Sequence, residues 1–512
     1  MHINLKALIV VLGIAMAVFA IAKPICLRFI AEGDYLRRRN IWIAMTVIAF
    51  ITPDFWVFVF VAMPIFALSA RKDTNPVAFY LLVMHVIPPI GMEIPVVVIN
   101  KLFELNNYRI LAFTILIPTA WRLVQSNDKN KLGELTRMDI LILVYLGLQL
   151  VLLMPYESIT NTMRRGFLFS IDDLLVYFVV SRTCTNRRAI AESMASFCLA
   201  CAILAPLALY ESLRGWLLYQ GIGEEWGNPT PFVYLMRDGT LRAQVSAGHA
   251  LALGYMMAIA FGFWLYLRSR IQSKALTISV AIWMWVGLLA AYSRAPWLVA
   301  VVIFFAYVAL GPNGPARFFK SLLIATFVAG LVLFSPIGER VIDNLPFVGT
   351  VDAANVIYRQ QFLEISWQLI KQNPFFGNPF ILLYLEDLRQ GQGIIDLINT
   401  YTTIAMYYGL VGLSILVGFF LIGIWNVHRI VKQSAGSDPD KSLLGVSLII
   451  CMFGTLLMMA AGSFGTSLEK MFYVLAGLAA GYAQLGQAKE TIYPEGLTHA
   501  ASDLNAVEKL RV

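Results

Sequence analysis

The sequence predicts an all-α polytopic membrane protein with one large polar loop. Three observations predict it: the composition, the recurrence of apolar runs, and a single long polar interruption. Of 512 residues, 59% are hydrophobic and 14% charged, whereas soluble chains are nearer about 45–50% apolar and about 25% charged. Apolar runs of about 20 residues follow one another, and in lipid a helix satisfies its own backbone polar groups. The interruption, 336–399, carries Glu339, Arg340, Asp343, Asp352, Arg359, Glu364, Lys371, Glu386, Asp387, Arg389 and Asp396. Charges at a bilayer centre cost about 2.5–3.5 kcal/mol each on the most lenient scale. This stretch therefore reads as a solvent-side segment on a membrane frame.

Taken in order, the first run, 7–22, has Lys6 before it and Lys23 and Arg28 after it, with no small-residue cleavage site. It reads as a retained helix rather than a signal peptide. The next, 41–69, is too long for one untilted span, and Thr52-Pro53-Asp54 would fold it into a hairpin. Further runs fall at 77–98, 108–121, 139–155, 166–180, 189–210, 245–267, 275–292, 296–311 and 319–335, then at 400–425, 442–461 and 467–485. The expected count is about 12–15 transmembrane helices. The chain divides into transmembrane helices over 1–335, the large loop 336–399, C-terminal transmembrane helices over 400–485 and a polar tail, 486–512.

The net charge of +8 does not mark a nucleic-acid-binding surface, because the basic residues sit in short loops between apolar runs. Loops with Arg182, Arg187 and Arg188, with Arg268, Arg270 and Lys274, with Arg317 and Lys320, and with His428, Arg429 and Lys432 alternate with poorer ones. The positive-inside rule puts the basic loops and the tail in the cytoplasm. The segment 211–243, the turn at Ser293 to Pro296 and the loop 336–399 then lie on the opposite side. Arg164 and Arg165 break the pattern by falling on that outer side. Cys198 and Cys201 form a CxxC inside an apolar run, with no further ligands at metal-binding spacing, and read as small core residues. No duplicated halves are visible, which counts against an inverted-repeat transporter.

Four places could carry chemistry. Tyr292-Ser293-Arg294-Ala295-Pro296-Trp297 joins two apolar runs almost without a loop, with Pro296 suited to a first helical turn. Arg294 at that outer turn is either a snorkelling surface cation or a functional charge. Arg359 opens an amphipathic helix whose Phe362, Ile365, Leu369 and Ile370 share a face and which ends at Asn373-Pro374. Its alternative is a solvated ion pair with Glu364. Arg389 leads a donor-rich Gln-Gly-Gln-Gly393 loop matching no P-loop spacing. Arg242 to His249 runs straight into the apolar helix of the run 245–267, and His249 reads as a packing residue or a ligand group. Arg242, Arg294, Arg359 and Arg389 thus put four cations on one membrane face. Arginine grips diphosphate through two-pronged, charge-assisted hydrogen bonds, which points to a lipid-linked pyrophosphate.

Ser293-Arg294, the Arg359-led helix ending in Asn373-Pro-Phe-Phe-Gly377, Asn399-Thr400-Tyr401, and Tyr408-Gly-Leu-Val-Gly-Leu413 resemble, in order and spacing, the O-antigen ligase and O-antigen polymerase superfamily. The stretches 389–401 and 242–254 look most like members linked to exopolysaccharides. The resemblance implies a C-type glycosyltransferase-like fold in a bacterial inner membrane, with 336–399 as a periplasmic loop. It implies an undecaprenyl-diphosphate-linked glycan as donor, transfer needing no metal or other cofactor, and flippase and chain-length regulator proteins as candidate partners. Arg294 and Arg359 match the family's diphosphate-engaging arginines. Arg242, His249, Arg389, Asn399 and Tyr401 join them as candidate substrate-binding residues. The sequence departs at Ile398, where ligases of this family carry a His before the Asn. That favours a polymerase and leaves Asp396 as the first substitute base, unless it only caps the next helix. Two competing readings are a lipid-linked-sugar flippase using Glu93, Asp172, Asp173 and Glu192, and a non-catalytic assembly subunit.

Overall fold

The computed structural model describes residues 2–94, 102–126, 135–229, 232–237, 239–311, 313–335, 353–389, 395–462 and 466–486. Glu339, Arg340, Asp343 and Asp352 of the polar loop, the two glycines after Arg389 and the tail from 487 lie outside the described residues.

Among the described residues the architecture is helical, apart from two short β-hairpins. Helix α1 (His2–Cys26) is followed by α2 (Glu32–Ile51) and α3 (Phe55–Lys72), which form the hairpin expected at Thr52-Pro53-Asp54. Asp54 starts α3 by accepting the Trp56 and Val57 N–H groups, the usual remedy for orphan donors at a helix start.

The expected span 77–98 is not one. Helix α4 (Pro76–Val83) stops after eight residues, and the chain turns into an antiparallel hairpin, β1 (Gly91–Glu93) with β2 (Glu104–Asn106). Pro88-Pro89 keeps the helix from resuming beyond Ile87, since proline lacks an N–H and pushes the preceding residue out of the helical region. The stranded carbonyls of Met84 and Ile87 are buried, and the side-chain amide of Asn107 donates to both at 3.0 Å. Non-helical backbone inside a membrane protein needs this kind of internal partner.

Next come α5 (107–125), α6 (Arg137–Leu153) and α7 (159–183). Single π turns at Ala112–Leu116 and Ser170–Leu174 interrupt α5 and α7. They are followed by α8 (Arg187–Arg214), the short α9 (Gln220–Glu225) and the hairpin β3 (Met236–Arg237) with β4 (Thr240–Leu241). Helices α10 (Ala250–Leu267), α11 (Lys274–Ala290), α12 (Arg294–Leu310) and α13 (Gly314–Leu333) precede the loop helix α14 (Ala353–Gln372). Helices α15 (Thr400–Ser434), α16 (Pro439–Ala461) and α17 (Thr466–Gln484) complete the bundle.

Among the described residues, 7 helices are long and apolar enough to cross a bilayer: α1, α3, α8, α10, α13, α15 and α16. The remaining helices fall short for visible reasons. Helix α2 carries Asp34 and Arg37 to Arg39 near its start, α5 and α7 are interrupted, and α11 and α12 are apolar but shorter. Helix α10 is the hub, buried along almost its whole length. All five cysteines are free and buried. Cys198 lies 3.3 Å from the Ala260 carbonyl of α10, so the CxxC is packing material, as expected.

The two ends of the bundle differ. At one, Arg182 pairs with Asp139 (2.6 Å), Arg187 with Asp438 (2.7 Å) and Arg270 with Asp440 (2.5 Å). Arg38, wholly buried, is shared between Asp73 (2.6 Å) and Glu192 (2.7 Å). This basic end gathers the arginine-bearing loops of the sequence. The opposite end carries β3–β4, the turn before α12, and α14. The expected apolar face of α14 is realised: Phe362 and Ile370 are buried with Ile381, Leu385 and Leu388 against Ala405 and Met406 of α15, and Ile365 and Leu369 pack beside them.

Helix α15 breaks at Gly409, whose φ of 65° and ψ of −174° are not helical. The turn Pro374-Phe-Phe-Gly377-Asn378 docks into that break. The Leu410 and Val411 N–H groups donate to the Pro374 and Phe375 carbonyls at 2.8 and 3.2 Å, and the Asn378 N–H donates to the Met406 carbonyl at 2.8 Å. Gly377 (φ 68°) meets the same backbone from the other side, and a Cβ on either glycine would overlap main-chain atoms. Gly409 lies nine residues below Thr400, about 14 Å along the helix. The loop therefore reaches well down the side of the bundle instead of standing clear of it.

Candidate functional site

The site is built at the end opposite the basic one, where three helices begin. The segment after β4 is held by Glu211, buried at the end of α8. Its carboxylate accepts the N–H groups of Leu218 (2.9 Å), Gln244 (3.0 Å) and Val245 (2.9 Å). Val245 is forced to a φ of 48°, costly for a β-branched residue. The neighbouring Ala243 N–H donates to the Ala290 carbonyl at 3.1 Å, and the Arg237 guanidinium donates to the Tyr292 carbonyl at 2.8 Å. These bonds lay the segment 242–249 against the turn Tyr292-Ser293, where Tyr292 is also at positive φ (44°). Gly254 lets α10 close onto Pro296 in the first turn of α12. Arg242, His249 and Arg294 thereby come to adjoining turns.

His249 caps α10, its Nδ1 accepting the Leu251 N–H at 3.1 Å. That bond leaves Nε2 to carry the ring proton as a donor. The imidazole keeps solvent contact while protein surrounds most of it. Burial, with Arg242 nearby, lowers its pKa to about 4, so it is neutral at physiological pH. Burial and the neighbouring Arg237 also lower Arg242, to about 10. The Arg242 Nε is buried with no hydrogen-bond partner among the described residues, as suits a group awaiting an anion.

Asn399 begins α15, accepting the Tyr401 and Thr402 N–H groups at 2.9 and 3.2 Å. Thr400 gives its N–H (3.1 Å) and hydroxyl (2.7 Å) to the Gly462 carbonyl, and Gly462 rests on Leu251 of α10. The N-termini of α10, α12 and α15 thus open on one end of the bundle. Each carries a partial positive charge, which attracts anions, although at α15 the first N–H groups are already taken by Asn399 and Gly462.

Arg359 and Asp396 are brought together by Tyr358. Its hydroxyl accepts the Asp396 N–H and donates to the Asp396 carbonyl, both at 2.9 Å. The exposed Arg359 lies close enough for its charge to act on Asp396. Partial desolvation raises the Asp396 pKa above the usual carboxylate value although its side chain still meets solvent, and Arg359 opposes the rise in part. The capping alternative for Asp396 is corrected, because Asn399 makes the cap. Residues 395–399 are not helical, and a tight turn joins the Ile398 N–H to the Asp396 carbonyl at 3.0 Å. Ile398 packs into the cluster under α14 while Asp396 is exposed, so the two side chains occupy different surroundings. The chain between Asp396 and Asn399 spans at most about 10 Å, which keeps the carboxylate near the start of α15.

Two candidates are placed differently. Tyr401 gives its hydroxyl to the Leu456 carbonyl at 2.7 Å, tying α15 to α16. Arg389 pairs with the exposed Glu386 at 2.7 Å, a bond that lowers the Glu386 pKa and raises that of Arg389. Among acids suited to a transporter, Asp172 is held by Arg109 (2.7 Å) and Lys470 (3.1 Å), Glu192 by Arg38, and Glu93 is exposed on β1. Among the described residues, no group of three His, Cys, Asp or Glu side chains is placed to hold a metal.

Sequence reasoning missed Glu211 and Tyr358, which act through backbone atoms of distant segments. For Glu211 the signal was an acid directly at the end of an apolar run. Arg165, out of place by charge counting, lies near enough to Tyr407 and Tyr408 to act on them electrostatically, beside the break in α15.

Comparison with known proteins adds a family. Residues 279–417 match the O-antigen ligase family, a stretch that takes in Arg294, Arg359, Asp396 and both halves of the Gly377–Gly409 junction. The match supports the O-antigen ligase and polymerase superfamily. No curated protein matches the chain.

Proposed function

We propose that the protein is an inner-membrane glycosyltransferase that polymerises lipid-linked glycan repeats of an exopolysaccharide or O-antigen. The donor would be a glycan on undecaprenyl diphosphate, and the reaction would take place on the periplasmic face, with the basic end in the cytoplasm by the positive-inside rule. One observation carries this reading: Arg242, His249 and Arg294 converge with three helix N-termini at one end of the bundle, within and beside the family match.

In this reading an acceptor sugar hydroxyl attacks the anomeric carbon of the donor. The bond from that carbon to the diphosphate oxygen breaks, and its electron pair leaves with undecaprenyl diphosphate. The hydroxyl proton passes to Asp396. Arg294 and Arg359 hold the leaving diphosphate in two-pronged contacts, with Arg242 and the Nε2 donor of His249 beside them. Fixed donors aimed at developing charge are usually the largest catalytic contribution. Ligation to lipid A core is the second reading, favoured by the family's description and disfavoured by Ile398 where ligases carry a His.

Purified protein given an undecaprenyl-diphosphate-linked glycan separates these readings. Longer glycan on the lipid diphosphate supports polymerisation, product on added lipid A core supports ligation, and movement of unchanged substrate supports a flippase. Arg294→Ala and Arg359→Ala are each expected to abolish product at unchanged protein level. Lysine is expected to rescue poorly, because a point charge cannot make the two-pronged contact. Full activity in both alanine variants would remove the diphosphate-binding argument.

A further inference from the structure

A second candidate site is a groove on the side of the bundle with its charged mouth at the basic end. Helices α11 and α12 both pack on α10 and stand apart from each other along much of their length. Between them is a groove of about 550 Å³. Phe261 and Leu265 of α10 form its floor, and Trp285 of α11 and Phe304 of α12 are among its walls. Along α11 the lining runs from Thr277 to Leu289, about 18 Å at the helical rise. It follows most of α11.

The groove is not uniformly apolar. Arg268 lines its basic-end mouth, half-buried, with its guanidinium 5.6 Å above the Tyr307 ring. Arg317 is near enough to the same ring to act on it electrostatically. Lys274, at the start of α11, and Lys320, in the second turn of α13, are both exposed. The nearby acid Asp440 is taken by Arg270 at 2.5 Å. A lipid-width apolar slot thus ends in positive charge at the cytoplasmic leaflet.

We propose that this groove binds an anionic glycerophospholipid of the cytoplasmic leaflet, with one acyl chain in the slot and its phosphate at Arg268. The alternatives lose on the same observations. A zwitterionic lipid would gain little from the cluster of cations. A polyprenyl donor would hold its diphosphate at the opposite end, whereas Arg268 and its neighbouring cations lie at the basic end. Basic pockets between transmembrane helices on the cytoplasmic side are a recurrent form of anionic-lipid recognition.

The test uses the full-length protein in detergent, titrated with palmitoyl-oleoyl phosphatidylglycerol or phosphatidylcholine and read by thermal midpoint and native mass spectrometry. Phosphatidylglycerol is expected to raise the midpoint and remain bound, with phosphatidylcholine at least about fivefold weaker, the size of one cation–lipid contact. Arg268→Gln should remove most of that preference. Ala281→Trp, which fills the slot without removing a charge, should abolish binding of both lipids. Equal binding of the two lipids, an unchanged preference in Arg268→Gln, or displacement of phosphatidylglycerol by undecaprenyl phosphate would each overturn the proposal.

Discussion

Asp396 shows how far a single position could be read. Its place before α15, three residues from Asn399, was plain from the sequence, as was the missing His at Ile398. Its surroundings were not, because they depend on Tyr358, thirty-eight residues earlier, bonding both sides of the Asp396 peptide. No local pattern announces such a contact. The raised pKa gives a signed expectation. A carboxylate takes up a proton only in its ionised form, so product formation should fall as pH drops through a value above the ordinary ~3.9 of Asp. The variant Asp396→Asn should lose that acidic limb and at least roughly tenfold in rate, below the ~10²–10⁴-fold of a well-placed base, because diphosphate leaves readily. His249, neutral above about 4, should add no inflection near pH 6–7. An unchanged rate and profile in Asp396→Asn would make the residue structural.

Among the elements, the junction between the α14 turn and α15 explains two motifs at once. In sequence, Asn373-Pro-Phe-Phe-Gly377 and Tyr408-Gly-Leu-Val-Gly-Leu413 are separate signatures. In the fold each supplies the backbone partners the other lacks. The turn was legible from its prolines and glycine, and α14 from its apolar spacing. The break was not, since one glycine inside an apolar run is ordinary in a membrane helix. A misread span at 77–98 has a related cause: apolar content continues past the helix end at Val83 and through Pro88-Pro89. Gly409→Ala puts a Cβ into the Phe375 backbone at positive φ, so the turn must move. It should expose the 374–379 turn to hydrogen exchange and proteolysis and abolish product. Gly418→Ala on the same helix meets open space and should be neutral or stabilising by up to about 1 kcal/mol. Equal behaviour of the two variants would show that the junction does not hold the loop.

For the molecule as a whole, the sidedness of the bundle joins the chemistry to the membrane. Composition and apolar runs made the class legible, and loop charges made the two ends legible. The ion pairs Arg187–Asp438 and Arg270–Asp440 show those loops sharing one end. The site needs the other end to face the periplasm, because a lipid-linked glycan is expected to be joined there. Since all five native cysteines are buried, single reporter cysteines can be added without first removing them. Gln372 at the end of α14 and Ser437 between α15 and α16 are both exposed. In intact cells, Gln372→Cys should react with an impermeant maleimide, and Ser437→Cys only after permeabilisation. The N-termini of α10, α12 and α15 would then meet the donor diphosphate from the outer side, and Arg268 would face the inner leaflet. Labelling of position 437 but not 372 in intact cells would invert the bundle, carrying Arg294, Arg359 and Asp396 into the cytoplasm and removing the periplasmic reaction with them.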